Sequence, residues 1–147
     1  MDNDVRTAIA ERLQSDATLL AMLPKNKNWR DQDDDDEQEK WSIVPLMKFD
    51  ASNPFPQITI QMGGDNRVGN HLYETLIYIR CYNASDKTHV EITSVLARVQ
   101  QLLDRAKLTL AGSTSIELRH DATQPEAVDQ GYGDLPYRES RYRWQRV

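Results

Sequence analysis

The chain has 147 residues, a formal net charge of −5 and a single cysteine. This length suffices for one domain with its own hydrophobic core, and a single cysteine excludes an internal disulfide. No apolar run approaches the roughly 20 residues of a membrane-spanning helix, and net acidity disfavours a broad nucleic-acid-binding face. We therefore expect a single domain over residues 1–147, made in a reducing cytoplasm and without a membrane partner.

The N-terminal segment predicts a helix from Asp4 to about Leu23. Its apolar residues recur at the three- and four-residue spacing of one helical face, as in Val5, Ala8, Ile9 and Leu13. Ser15 and Asp16 are placed to interrupt this helix, and Pro24 ends it because proline cannot continue the hydrogen-bonding pattern.

Residues 25–50 predict a long loop inserted into the domain. The run Asp31–Glu39 carries seven acidic residues and no basic one, so the rest of the chain sums to a charge of +2. A calcium loop does not fit, because Asp36 stands where the turn requires glycine and Ser42 where glutamate is required. We interpret the segment as a solvated, partner-facing acidic loop. Its expected contact residues are Trp29, Asp33, Asp34, Asp35, Asp36 and Trp41.

A first strand follows Pro54-Phe55-Pro56, with Ile58, Ile60 and Met62 alternating with polar residues. Gly63–Asn70 then predicts a hairpin connection, because glycine, aspartate and asparagine favour turns. These glycines do not predict a phosphate site, since no nucleotide-binding motif is present and no helix follows them.

The stretch His71–Leu103 predicts the centre of the fold, a strand followed by an amphipathic helix. In the strand Leu72–Tyr82, one face is apolar and the other is mixed, as in a central strand with a helix on one side. The helix has one apolar stripe, formed by Ile92, Val95, Leu96, Val99, Leu102 and Leu103. Thr88 and Glu91 have the spacing of a capping box, and Ser85 or Asp86 is an alternative cap.

The C-terminal part predicts three further segments. Leu108 and Leu110 form a short return, and Ser115–His120 alternates as a strand before a loop at 121–136. Tyr137–Val147 predicts a closing strand, with Tyr142 and Trp144 on one face and Arg141 and Arg143 on the other. We expect these two arginines to contact a partner or a second copy of the chain.

The predicted fold class is α+β. We expect an antiparallel or mixed sheet of about four strands, with an N-terminal helix and one long amphipathic helix packed mainly on one face.

No residue pattern predicts catalysis, a cofactor or a metal. The three histidines, His71, His89 and His120, lie in different elements and have no second ligand at zinc spacing. Carboxylates such as Glu74 and Glu117 could face each other across the sheet, but no motif supports a reaction there. We therefore expect a protein that is not an enzyme.

The order of these segments resembles the tail terminator or tail completion proteins of long-tailed double-stranded-DNA bacteriophages. The likeness rests on Phe55-Pro56 entering a strand and on Tyr78–Tyr82 leading through Ser85 into the helix. It also rests on Leu102-Leu103-Asp104 before the Leu108/Leu110 strand and on Tyr142-Arg143-Trp144 near the C-terminus. The long acidic loop departs from that layout.

The resemblance implies a virion protein that forms a ring, commonly of six copies, on the last ring of the tail tube. Such a ring ends tube polymerisation and offers a surface to a head-side connector or stopper protein, while DNA only passes through its lumen. The alternatives are another head–tail ring protein (an adaptor or stopper), a cytoplasmic α+β protein-binding module, and a small enzyme with an unrecognised site.

Overall fold

The computed structural model describes residues 2–23, 43–44, 55–110 and 115–146. The helices are α1 (Asp2–Gln14), α2 (Ala17–Ala21) and α3 (Val90–Leu103), with a short 3-10 helix at Gln130–Tyr132. The strands are β1 (Ile43–Val44), β2 (Gln57–Arg67), β3 (Tyr73–Tyr82), β4 (Lys107–Thr109), β5 (Ser115–Glu117), β6 (Arg119–Thr123), β7 (Ala127–Asp129) and β8 (Leu135–Arg146). The expected contact residues Trp29, Asp33, Asp34, Asp35, Asp36 and Trp41 lie outside the described residues.

The main sheet has the strand order β1-β2-β3-β8-β6, and β7 also pairs with β8. All its pairings are antiparallel except β1 with β2, which is parallel. Strands β4 and β5 form a separate two-stranded sheet. The predicted α+β class is confirmed, and within the described residues the main sheet has six strands where about four were expected.

One face of the main sheet packs against the helices. Ile77 and Ile79 of β3 are fully buried, as are Ile58 and Ile60 of β2 and Tyr142 of β8. The six predicted stripe residues of α3 are all buried, and they share one core cluster with α1 and with this sheet face. The predicted pairing of a central strand with the helix that follows it is therefore confirmed. The long strand β8 completes this core on the far side of β3.

The N-terminal region folds as two helices because Asp16 starts a second one. The Asp16 side chain accepts a hydrogen bond from the backbone N–H of Leu19, which caps α2. The same carboxylate receives two hydrogen bonds from Arg98 of α3, at 2.9 and 2.7 Å. This bidentate pair joins α2 to the core helix, and it confirms the predicted interruption at Ser15 and Asp16.

The predicted capping box at the start of α3 does not form. His89 occupies the N-cap position and makes no side-chain capping bond. Asn83 instead donates its side-chain amide to the Thr88 carbonyl and to Glu91 Oε2, at 3.1 and 3.3 Å. The hydrogen bond from Asn83 holds the Glu91 side chain near the end of β3, so Glu91 does not bond to the backbone N–H of the N-cap residue His89.

The hairpin between β2 and β3 is longer than the sequence predicts. Strand β2 continues through Gly63 and Gly64 to Arg67, with an irregularity in register between Met62 and Asp65. Gly63 lies against the backbone oxygen of Leu76, and an added Cβ would stand 3.0 Å from it. These glycines therefore form part of the strand, and the turn follows at residues 68–72.

The segment after α3 also differs from the prediction. The expected single strand Ser115–His120 is divided at Leu118 into β5 and β6, which belong to different sheets. The expected loop at 121–136 contains the end of β6, all of β7 and the 3-10 helix. Leu118 is fully buried and its carbonyl accepts from the Arg105 backbone N–H, so the chain changes direction there.

Candidate assembly surface

The face of the main sheet opposite the helices carries a row of charged and aromatic side chains. Residues directly opposite on neighbouring strands point to the same face. In the β3–β8 register, Arg80 lies opposite Glu139, Tyr78 opposite Arg141 and Leu76 opposite Arg143. We call this surface the arginine face, and define it by Arg80, Arg141 and Arg143. Their side chains are 31%, 40% and 45% exposed.

Glu139 links two of these arginines. Its Oε1 accepts from Arg80 Nε and its Oε2 accepts from Arg141 Nε, both at 2.9 Å. The Glu139 side chain is only 8% exposed. A carboxylate so sheltered from water requires cationic partners, and here both its oxygens have one. Each guanidinium has further N–H groups besides the Nε–H that Glu139 binds.

Arg143 is paired with two other carboxylates. It lies 3.0 Å from Asp121 and 3.7 Å from Glu74, and Gln145 donates a further hydrogen bond to Glu74 at 3.1 Å. Glu74 is thus part of the arginine face. Glu117 lies in β5 of the separate two-stranded sheet, paired in register with Lys107. Glu74 and Glu117 therefore do not face each other across one sheet.

Aromatic rings support the guanidinium groups. Arg80 lies over the Tyr137 ring at 4.8 Å, and Arg141 lies over the Tyr78 ring at 5.5 Å. Arg80 also donates to the Tyr82 hydroxyl at 3.1 Å. Burial disfavours the Arg80 cation, but the hydrogen bonds to Tyr82 and Glu139 outweigh it and raise the pKa of Arg80. The arginine side chains are therefore pre-oriented before any partner arrives.

The arginines of the arginine face make contacts within a single copy of the chain. Arg141 and Arg143 have partners within the chain, so the fold itself holds their guanidinium groups in place. The Glu139–Arg141 pair was visible in sequence, because residues two apart in a strand share a face. The contributions of Arg80 and Glu74 depend on the register of β3 with β8, which links Arg80 to Glu139, 59 residues apart, and Glu74 to Gln145, 71 residues apart.

The histidines do not form a site. His71 lies exposed in the hairpin turn, and His89 contacts the Ala127 carbonyl at 2.8 Å. His120 contacts Thr123 Oγ1, which in turn contacts Ser140 Oγ at 2.9 Å. Ser140 is fully buried, so its hydroxyl has no access to a substrate. Within the described residues, no group of three or more His, Cys, Asp or Glu side chains is arranged to hold a metal ion.

A half-open groove lies beside β5, at the far edge of the sheet from β1. We call it the edge groove, and its volume is about 800 Å³. Its lining combines apolar side chains with both basic and acidic ones, namely Leu110, Ile116, Trp144, Arg119, Arg143, Glu117 and Asp121. No sequence pattern indicates this groove, because its lining residues come from both sheets. No helix in the described ranges is long and apolar enough to cross a membrane.

No family model matches the chain, and no curated protein matches it. Among solved structures, the chain is similar to one chain of the virion of a native gene transfer agent particle, with a TM-score of 0.58 and 12% sequence identity. The similarity covers 97% of this chain and 93% of that chain. It shows a shared fold over nearly the whole length of both proteins.

Proposed function

We propose that the chain is a non-enzymatic structural protein of a phage-like virion, and that it forms a ring at the head-proximal end of the tail tube. The observation that carries this proposal is the end-to-end fold similarity to a chain of a gene transfer agent virion. The sequence resemblance to tail terminators points in the same direction. In this role the ring ends tube polymerisation and offers its other side to a head-side connector.

The charge pattern supports a ring of identical copies. A ring requires heterologous contacts, in which one patch of each copy meets a different patch of the next. The arginine face holds pre-oriented guanidinium groups beside the carboxylates Glu139, Glu74 and Asp121. The chain elsewhere carries seven acidic residues within Asp31–Glu39. Contacts between arginine and carboxylate are strong and geometrically specific when bidentate, so they also fix the register between copies.

An adaptor or stopper ring elsewhere in the neck is the second candidate. The fold similarity supports it equally, because the similarity is to a chain of a virion particle and specifies no position within that particle. Tail length separates the two roles. Loss of a terminator leaves tubes of uncontrolled length, whereas loss of an adaptor or stopper leaves tails of normal length that fail to join heads.

The assembly role of Arg141 and Arg143 is tested by replacing both with lysine. Lysine keeps the positive charge that Glu139 and Glu74 require within the chain, but it lacks the planar fork that binds a carboxylate through two hydrogen bonds. We expect unchanged thermal unfolding and a roughly tenfold or greater loss of self-association, measured by sedimentation.

Arg67→Lys is the matched control, because Arg67 binds the Gly69 and Asn70 carbonyls in the hairpin turn, away from the arginine face. The double Arg141→Glu, Arg143→Glu variant should abolish assembly and tail joining, with its folding checked separately because Glu139 and Glu74 would face new negative charges. Wild-type association by both double variants would refute the role.

A further inference from the structure

The edge of the main sheet at β6 presents backbone groups that β8 does not bind. Strand β6 ends the strand order, and in the described part of the chain it pairs only with β8. An edge strand of this kind is a template for a strand from another chain, so folded proteins cover or charge such edges. In this chain the residues that follow α3, 104–109, lie along this edge.

Hydrogen bonds from this segment cover the edge in succession. Strand β4 pairs with the whole of β5, the strand that leads into β6. Beyond that ladder, the backbone N–H of Arg105 donates to the Leu118 carbonyl at 2.7 Å. Further along the edge, the backbone N–H of His120 donates to Oδ1 of Asp104 at 2.9 Å. The Asp104 carboxylate therefore occupies a donor that the carbonyl of an added strand would otherwise bind.

The turn after α3 brings the Asp104 carboxylate to this edge. Asp104 is the C-cap residue of α3, and its backbone N–H donates to the Gln100 carbonyl at 2.9 Å. Arg105 follows with a φ of 60°, a left-handed conformation that is uncommon for residues other than glycine. Such a conformation persists where the surrounding contacts determine it, and here the bond to Leu118 holds the Arg105 backbone. The helix on one side and the sheet edge on the other therefore fix the position of Asp104.

Beyond His120, strand β6 is already unsuited to pairing with a further strand. The β6–β8 register is irregular between His120 and Ala122. The residue between them, Asp121, is exposed and forms an ion pair with Arg143 at 3.0 Å. Bulges and charged side chains both weaken strand pairing at a sheet edge. The His120 N–H is thus the edge donor next to the irregularity, and Asp104 binds it.

We propose that Asp104 closes the β6 edge against a strand of a second copy of this chain, by serving as a substitute acceptor for the His120 N–H. An open edge would let the sheets of successive copies join through their backbones, which produces open-ended aggregates instead of closed assemblies. This role rests on contacts within one copy and is independent of the proposed ring.

Two substitutions of Asp104 separate an open edge from a closed one. Asp104→Ala removes the acceptor, whereas Asp104→Asn keeps it in the side-chain carbonyl of asparagine. In a dilute sample, amide hydrogen exchange at His120 should be at least about tenfold faster in Asp104→Ala than in the wild type. Exchange at Ile79, in the centre of the sheet, should stay as slow as in the wild type, which shows that the fold is intact. Asp104→Asn should match the wild type at both amides.

Sedimentation across a concentration series measures what an open edge does. Asp104→Ala should self-associate at least about tenfold more tightly than the wild type, and its His120 amide should become protected again as it associates. Asp86→Ala is the matched control, because it also removes one acidic residue but lies between β3 and α3. Wild-type exchange and association in Asp104→Ala would overturn the proposal, as would equal behaviour of the Ala and Asn variants. Fast exchange at His120 without added association would likewise contradict a role in blocking strand addition.

Discussion

At the scale of single residues, alternation along a strand predicts burial well and predicts ion pairing poorly. The apolar face of β3 and the inward positions of Tyr142 and Trp144 follow from a period of two, because burial depends only on which face a residue occupies. The almost complete burial of the Glu139 side chain does not follow from this alternation. It depends on Arg80, which comes within reach only through the register of two strands distant in sequence.

Replacing Ile79 with alanine tests the predicted centre of the core. Ile79 is fully buried in the cluster that also contains Val99 of α3. The variant should lose about 2–5 kcal/mol of unfolding free energy, because it loses apolar contact and leaves a cavity. The milder Ile79→Val change should cost about 0.5–1.5 kcal/mol. Denaturant unfolding measures both, and a loss below about 1 kcal/mol for Ile79→Ala would mean that α3 packs elsewhere.

At the scale of helices and strands, the sequence predicts the long periodic elements. It does not predict the helix cap or the short strands, which depend on hydrogen bonds to other segments. Helix α3 and strand β8 were predicted because each carries a sustained pattern. The Thr88–Glu91 capping box was predicted from spacing alone, and Asn83 outcompetes it by binding both residues. The short strands β6 and β7 have little apolar alternation, so only their pairing with β8 defines them.

The attachment of α2 to α3 through Asp16 and Arg98 should make stability depend on pH. Hydrogen bonds from Arg98 lower the pKa of Asp16 below its usual value of 3.8 in the folded state. The unfolded chain has the usual value, so the ion pair stabilises the fold fully above pH 3.8. This contribution is lost as the pH falls through the lowered pKa.

Asp16→Asn isolates the charge, since asparagine still caps α2. At neutral pH the variant should unfold at a lower temperature than the wild type, and the two melting temperatures should converge in strong acid. Thermal unfolding followed by circular dichroism across pH 2–7 measures the difference. A melting-temperature gap that stays constant through the acid range would show that the ion pair contributes nothing.

At the scale of the whole molecule, the sheet order places two different features at its two edges. The α2–β1 connection, which contains the acidic run, meets the β1 edge, and the edge groove lies by β6. Neither the parallel β1–β2 pair nor the groove was predictable, because both depend on contacts between distant segments. The charge asymmetry along the chain was predictable, and together with the topology it favours head-to-tail assembly of identical copies.

The mass of the assembled chain tests the central claim most directly. A concentration series by native mass spectrometry, with electron-microscopy class averages of the same samples, should show the 17.0 kDa chain converting into closed rings of about six copies with a central opening. At about 1 mM, even a contact of about 4 kcal/mol is substantially populated. A chain that remains at 17.0 kDa up to that concentration, or that forms only open filaments, would contradict the account.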